Sequence, residues 1–262
     1  NDNNASDGQG HGTHVAGIVG SSDYLFPGIA PNVNIIALKV LDDSGSGRSN
    51  DIEEALNWVV DNADEYNISA VNLSLGQGDF NTAPNSSYLN SQFMSLANQD
   101  VVVASASGND YTGYQGVSYP SADPYSLSVG AVWAANGNVS DGVNSQTGST
   151  DAIAFFSQRD DDLSDNFAPG VYIDSSWNDG SHKSISGTSM ASPEIAGMVV
   201  LAQQLAEQEL GRRLSFDEVR TLLKETSEDI VDGDDENDTV PNTGLTFQRV
   251  DMLALAEAIL EL

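Results

Sequence analysis

Short apolar runs alternating with amphipathic stretches constrain this chain most. "VNIIALKVL" (33–41), "SAVNLSL" (69–75), "VVVASAS" (101–107) and "YSLSVGAVW" (125–133) each read as a buried strand. "SNDIEEALNWVVDNADEY" (49–66) predicts an amphipathic helix capped near Ser49 or Asn50. It places Ile52, Ala55, Leu56, Val59 and Val60 on one face. "SSYLNSQFMSLANQ" (86–99) predicts another helix between two of the strands. Strand–helix alternation of this kind implies an α/β fold: a three-layer, doubly wound, mostly parallel sheet with helices on both faces.

Three helices are predicted in the later part, over 189–210, 215–228 and 251–262. The second opens with a capping box, Ser215 and Glu218. The segments 42–47, 136–151 and 231–244 read as loops inserted in one domain that spans 1–262. The chain has 262 residues, enough for a sizeable core, and no apolar run long enough to cross a membrane. It opens on the polar "NDNNASDG", which reads as a trimmed beginning, and no signal peptide is visible. Cysteine is absent, which excludes disulfides and thiolate chemistry. Thirty-nine acidic residues stand against nine basic ones, a formal charge of −30. Nucleic acid and anionic membranes are therefore not expected partners. Lysine falls to Lys39, Lys183 and Lys224, which favours adaptation to high salt, where screening removes self-repulsion.

Three segments carry candidate chemistry. "GQGHGTHVAG" (8–17) holds His11 and His14, two of three histidines. A zinc site would need a third ligand, and the HExxH form is absent. "SISGTSMASPEIAG" (184–197) sets Ser189 before an apolar helical run. A serine there is ordinarily a cap, but a nucleophile uses the same helix terminus to favour developing negative charge. The segment is not a GxSxG elbow, because Ala191 occupies the last place. "SASGND" (105–110) ends a strand at Asn109, a turn residue or an oxyanion donor.

Taken together, "GHGTHVAG", "GTSMASP", "SASGND", "VNLSLGQG", "GIAPNVNIIALKVLDDSGSG" and "FAPGVYI" resemble the subtilisin family of serine proteases over nearly the whole chain. The resemblance implies a secreted, extracellular serine endopeptidase with His11 as general base, Ser189 as nucleophile and Asn109 in the oxyanion hole. His14 would be a packed helix residue. Ser74, Leu75 and Gly76 on one side, and Gly45, Ser46 and Gly47 on the other, would pair with an extended polypeptide. Ala106, Ser107 and Gly108 would wall the pocket for the residue before the cut, with modest preference for an apolar one. A pro-peptide is a further implied partner.

The pattern departs from the family in places. The triad aspartate, in an Asp-Ser/Thr-Gly motif upstream of the histidine, has no counterpart; Asp2 and Asp7 are too near His11, and Asp7 reads as a loop cap. A fragment of a longer domain, a degenerate domain that grips peptides without cutting them, and a partner-supplied strand all account for this, and the fragment is favoured. Gln77 replaces a glycine and Glu194 a histidine. Calcium is the implied cofactor. Asp232, Asp234, Glu236 and Asp238 alternate like the start of a calcium loop, against a reading as a solvated acidic loop, and Asp165 matches a weaker cation site.

Overall fold

The structure, a computed structural model, describes residues 4–84, 88–140, 145–233 and 240–262. Its centre is a six-stranded sheet in the order β1 (Ala70–Leu73), β3 (Val102–Ala106), β5 (Leu127–Trp133), β8 (Asn166–Val171), β12 (Thr246–Arg249) and β11 (Glu228–Val231). All neighbours are parallel except the last pair. β2 (Gln77–Phe80) pairs with β4 (Val117–Tyr119). β6 (Gly137–Ser140) with β7 (Ser145–Gly148), and β9 (Ile173–Ser176) with β10 (His182–Ile185), form antiparallel hairpins.

β3 shows why the sheet must be covered on both faces. Val102 and Ala104 enter one core and Val101 and Val103 the other, because successive side chains alternate. One layer holds α2 (Ser49–Asn62) and α3 (Asn90–Ala97), whose Ile52, Leu56, Val59, Phe93 and Leu96 meet Val101 and Val103. The opposite layer holds α4 (Thr188–Glu209), α5 (Phe216–Glu225) and α6 (Met252–Leu260). α1 (His11–Gly20) packs on α4 and β9. α5 starts at the expected capping box: Ser215 Oγ accepts from the Glu218 N–H, and Glu218 accepts from the Ser215 N–H.

Two expectations change. Segment 33–41 belongs to no strand, and Ile35, Ile36 and Leu38 are 39–47% exposed. A strand needs a ladder partner as well as β-forming residues, and β1 is hydrogen-bonded to β3 alone. Segment 136–151 is not simply a loop, since the β6–β7 hairpin lies within it. α2 is also less tidily capped than its sequence suggests: it begins at Ser49 after Arg48, without a side-chain cap.

Candidate active site

Ser189 lies in the first turn of α4, which begins directly after β10 and the short Ser186–Gly187 link. Gly187 has no side chain to cap the helix, so a distant residue does it. Asn109, just beyond β3, accepts the Thr188 N–H at 2.9 Å and the Thr188 hydroxyl at 3.1 Å, both through Oδ1. The amide is thereby oriented, with Nδ2 left to donate to another acceptor. The Ser189 N–H belongs to the first helical turn, where N–H groups lack intrahelical acceptors. Gly108 reinforces the junction, its N–H reaching Thr188 Oγ1 at 3.2 Å.

Pro193 ties Ser189 to the end of β1. A proline has no N–H for the carbonyl four residues earlier, here that of Ser189. Ser74 fills the vacancy, donating its hydroxyl to the Ser189 carbonyl at 2.7 Å. Ser189 Oγ in turn lies 3.4 Å from the Ser74 carbonyl, and Ser189 is only 9% exposed. The spacing Ser-x-x-x-Pro was readable in the sequence, though its partner was not. Thr188 was likewise missed as the link between Asn109 and the helix.

His11 is the first residue of α1. Gly10 before it has φ +103°, and a Cβ there would lie 2.4 Å from the Trp177 ring, so glycine is required on both counts. Asp7 builds the helix start: it accepts from the N–H groups of Gln9, Gly10 and Thr13 and from the Thr13 hydroxyl. Burial alone would raise the Asp7 carboxyl, but these bonds outweigh it and hold the pKa at about 2. Burial, helped by the adjacent His14 ring, holds the His11 imidazole below its ordinary value, with Asp7 acting weakly against it. The His11 ring is therefore mostly neutral at pH 7. No hydrogen bond joins its ring to Ser189 or to a carboxylate among the described residues.

The other candidate residues fall into two groups. Ser74–Gly76 and Ala106–Gly108 converge: a Cβ on Gly76 would touch Ser118 Oγ, whose hydroxyl donates to the Ala106 carbonyl at 3.2 Å. Ser107 Oγ donates to the Gln158 carbonyl at 2.8 Å, and Gln158 Nε2 reaches the Gly78 carbonyl at 3.2 Å. Gln158 thus links Ser107 to Gly78, a tie that the sequence did not reveal. Gly45, Ser46 and Gly47 are exposed in a turn organised by Asp42. That turn lies beside Gln9, on the His11 side of the site, without a hydrogen bond to Ser74–Gly76. On α4, burial pushes the Glu194 carboxyl up to about 8, so it is largely protonated at pH 7.

Two of the carboxylates read as cation ligands, Asp232 and Asp165, are bonded to arginines. Asp232 belongs to a buried ion pair: Arg159 donates to both its oxygens at 2.9 Å, and Thr243 donates a further N–H and hydroxyl. Asp165 accepts from Arg220 at 2.6 Å and from the Ser128 N–H at 2.8 Å. These two carboxylates direct oxygens to guanidinium groups, oxygens that a calcium ligand would turn to the ion. Asp234, Glu236 and Asp238 lie outside the described residues. No group of three acidic or histidine side chains suited to a metal occurs among the described residues.

A serine in the first turn of α4 and the asparagine that caps that turn thus meet just beyond β3, and His11 opens the helix packed on α4. A family model described as the subtilase family, Peptidase S8, matches residues 1–246. The chain belongs to the subtilase family. It is 40% identical over 196 residues to the "Subtilisin-like serine protease AsES" of Sarocladium strictum, covering 74% of this chain and 44% of that one. It is 40% identical over 205 residues to "Alkaline serine exoprotease A" of Vibrio alginolyticus, covering 78% and 33%. This subtilase chain therefore spans less than half the length of these two relatives. Its fold matches a solved "cold adapted subtilisin-like serine proteinase" at TM-score 0.72 and 31% identity, covering 95% of this chain and 77% of that one. No helix among the described residues is long and apolar enough to cross a membrane.

Proposed function

We propose that this domain is a serine endopeptidase that cleaves extended polypeptides through an acyl-enzyme. His11 takes the Ser189 hydroxyl proton as Oγ attacks the scissile carbonyl, then protonates the leaving amine. Water repeats the cycle and releases the acid. The tetrahedral oxyanion is held by Asn109 Nδ2 and the Ser189 N–H. The observation that carries the reading is the use of Asn109 Oδ1 by Thr188, which reserves Nδ2 for an acceptor beside Ser189. Ser74–Gly76 and Gly45–Gly47 receive the substrate as an added strand, and Ala106–Gly108 wall the pocket before the cut. A small wall of this kind suits modest apolar preference.

Labelling with a fluorophosphonate tests the proposal. Modification maps to Ser189 and is absent in Ser189→Ala. Asn109→Ala lowers the labelling rate about 10²–10³-fold, the range that a single oxyanion donor contributes; the figure comes from the equivalent asparagine of subtilisin and is taken over. A folded chain that never labels would instead favour a peptide-gripping scaffold.

We also propose secretion into a saline medium, with a pro-peptide as a folding partner. The charge of −30 supports the first part. Screening lengths fall from about 30 Å at 0.01 M salt to about 3 Å at 1 M. Tm at pH 7 should therefore rise by several degrees between dilute buffer and molar sodium chloride. Near the sequence pI of about 4.1 the gain should vanish, because the net charge there is zero. A Tm flat with salt at pH 7 refutes salt adaptation.

A further inference from the structure

The hairpin β9–β10 lies across α1, and its second strand runs straight into the segment that carries Ser189. Five contacts fix the hairpin to the helix and to the segment that enters it. The His14 Nε2 atom lies 3.0 Å from the Ile173 carbonyl and 2.9 Å from the Lys183 carbonyl, one on each strand. Ser175 Oγ donates to the His14 carbonyl at 2.8 Å. Trp177 covers Gly10, and Asn178 Nδ2 donates to the Asp7 carbonyl at 3.0 Å. A Cβ on Gly17 would strike Ser175 Oγ, so the helix sits too close to the hairpin for any larger residue.

His14 is the centre of this arrangement. It is fully buried, and both partners of Nε2 are carbonyl oxygens, so Nε2 must carry the proton. Nδ1 is then a lone-pair atom, buried without a hydrogen-bond partner. The ring is thus held in one tautomer, with one proton shared between two strands.

We propose that His14 is a positioning residue: its shared Nε2–H sets the helix bearing His11 in register with the strand that delivers Ser189. This rests on the protease reading. The base and the nucleophile are far apart in sequence, and α1 meets β10 through this ring. A displacement of ~1 Å between base and nucleophile costs about 10²-fold in rate. The clamp also has a preferred charge. A proton on Nδ1 would have no acceptor, and burial holds the ring below its ordinary pKa, against the carbonyl bonds and Asp174. Lys183 opposes protonation, while His11 and Asp7 are the titratable groups on the helix side. The folded pKa is depressed, so stability rises with pH up to about 6.5 and falls as pH drops through the folded value.

The test uses the full chain with His14→Leu and His14→Gln. Ring ¹⁵N spectra of the wild type should give a neutral Nε2–H tautomer for His14 that titrates below 6.5. His14→Leu should move the His11 ring resonances and slow fluorophosphonate labelling about 10²-fold with its helical spectrum kept. His14→Gln, which retains a donor, should recover most of the rate. An Nδ1–H tautomer overturns the proposal. So does a His14→Leu chain with wild-type labelling and His11 resonances, or a glutamine variant no better than leucine. A wild type that never labels defeats the protease reading alone, because the His11 resonances of wild type and His14→Leu still decide the clamp.

Discussion

An extended strand carrying a carboxylate, supplied beside β1, will raise the rate at which Ser189 takes up a fluorophosphonate by up to about 3 × 10⁴. That factor is the loss measured on removing the triad aspartate of subtilisin, a member of this family, and is taken over rather than derived. Two features of the fold motivate the experiment. His11 has no carboxylate bonded to its ring among the described residues, and Asp7, an acid that acts on it, is committed to capping α1. β1 is paired on one side only, while segment 33–41 runs outside the sheet with Ile35, Ile36 and Leu38 partly exposed. An imidazole without an orienting acceptor spends much of its time in the wrong tautomer for taking the Ser189 proton. The strand can be joined upstream or added as a peptide, always beside an Asp→Asn control. A gain with aspartate and none with asparagine supports a triad completed in this way. Equal rates with both would mean that the strand acts on folding alone, and the general-base role of His11 would lose its main support.

Much of the fold was legible because it depends on local or periodic signals. The capping box of α5 needs only Ser215 and Glu218, three residues apart. β3 reads correctly because both its faces are buried, which leaves a continuous apolar run. Segment 33–41 carries the same kind of run, yet strand formation also needs a neighbour that no local pattern announces. At the site, the motifs single out His11, Asn109 and Ser189 as candidates, while the bonds around Asn109 and Ser189 were hidden. Thr188 reaches Asn109 across 79 residues, and Ser74 reaches Ser189 across 115. The acidic spacing around Asp232 does not reveal that Arg159, 73 residues away, arrives as the counter-ion of that one carboxylate.

That ion pair is also where the largest loss of stability is expected. Arg159 and Asp232 are each 1% exposed, and the guanidinium stacks 3.6 Å above the Tyr111 ring while its remaining arm donates to the Ser157 carbonyl. Asp232 ties in Thr243, and the Tyr111 hydroxyl donates to the Pro241 carbonyl, so the chain around 241–245 is fastened to Tyr111 and to the ion pair. Arg159→Met leaves a buried carboxylate with only Thr243 as donor, and Asp232→Leu leaves a buried guanidinium without its partner. Removing one member of such a pair costs about 3–5 kcal/mol, a fall in Tm of about 10 °C or more in a domain of this size. The double variant should lose much less than the sum, because no charge is left uncompensated in the interior. Thermal unfolding of the two single variants and the double variant, at one salt concentration, measures the coupling. Losses that simply add would mean that the pair carries no mutual energy, and that the segment around 241–245 is held by Tyr111 and its backbone bonds instead.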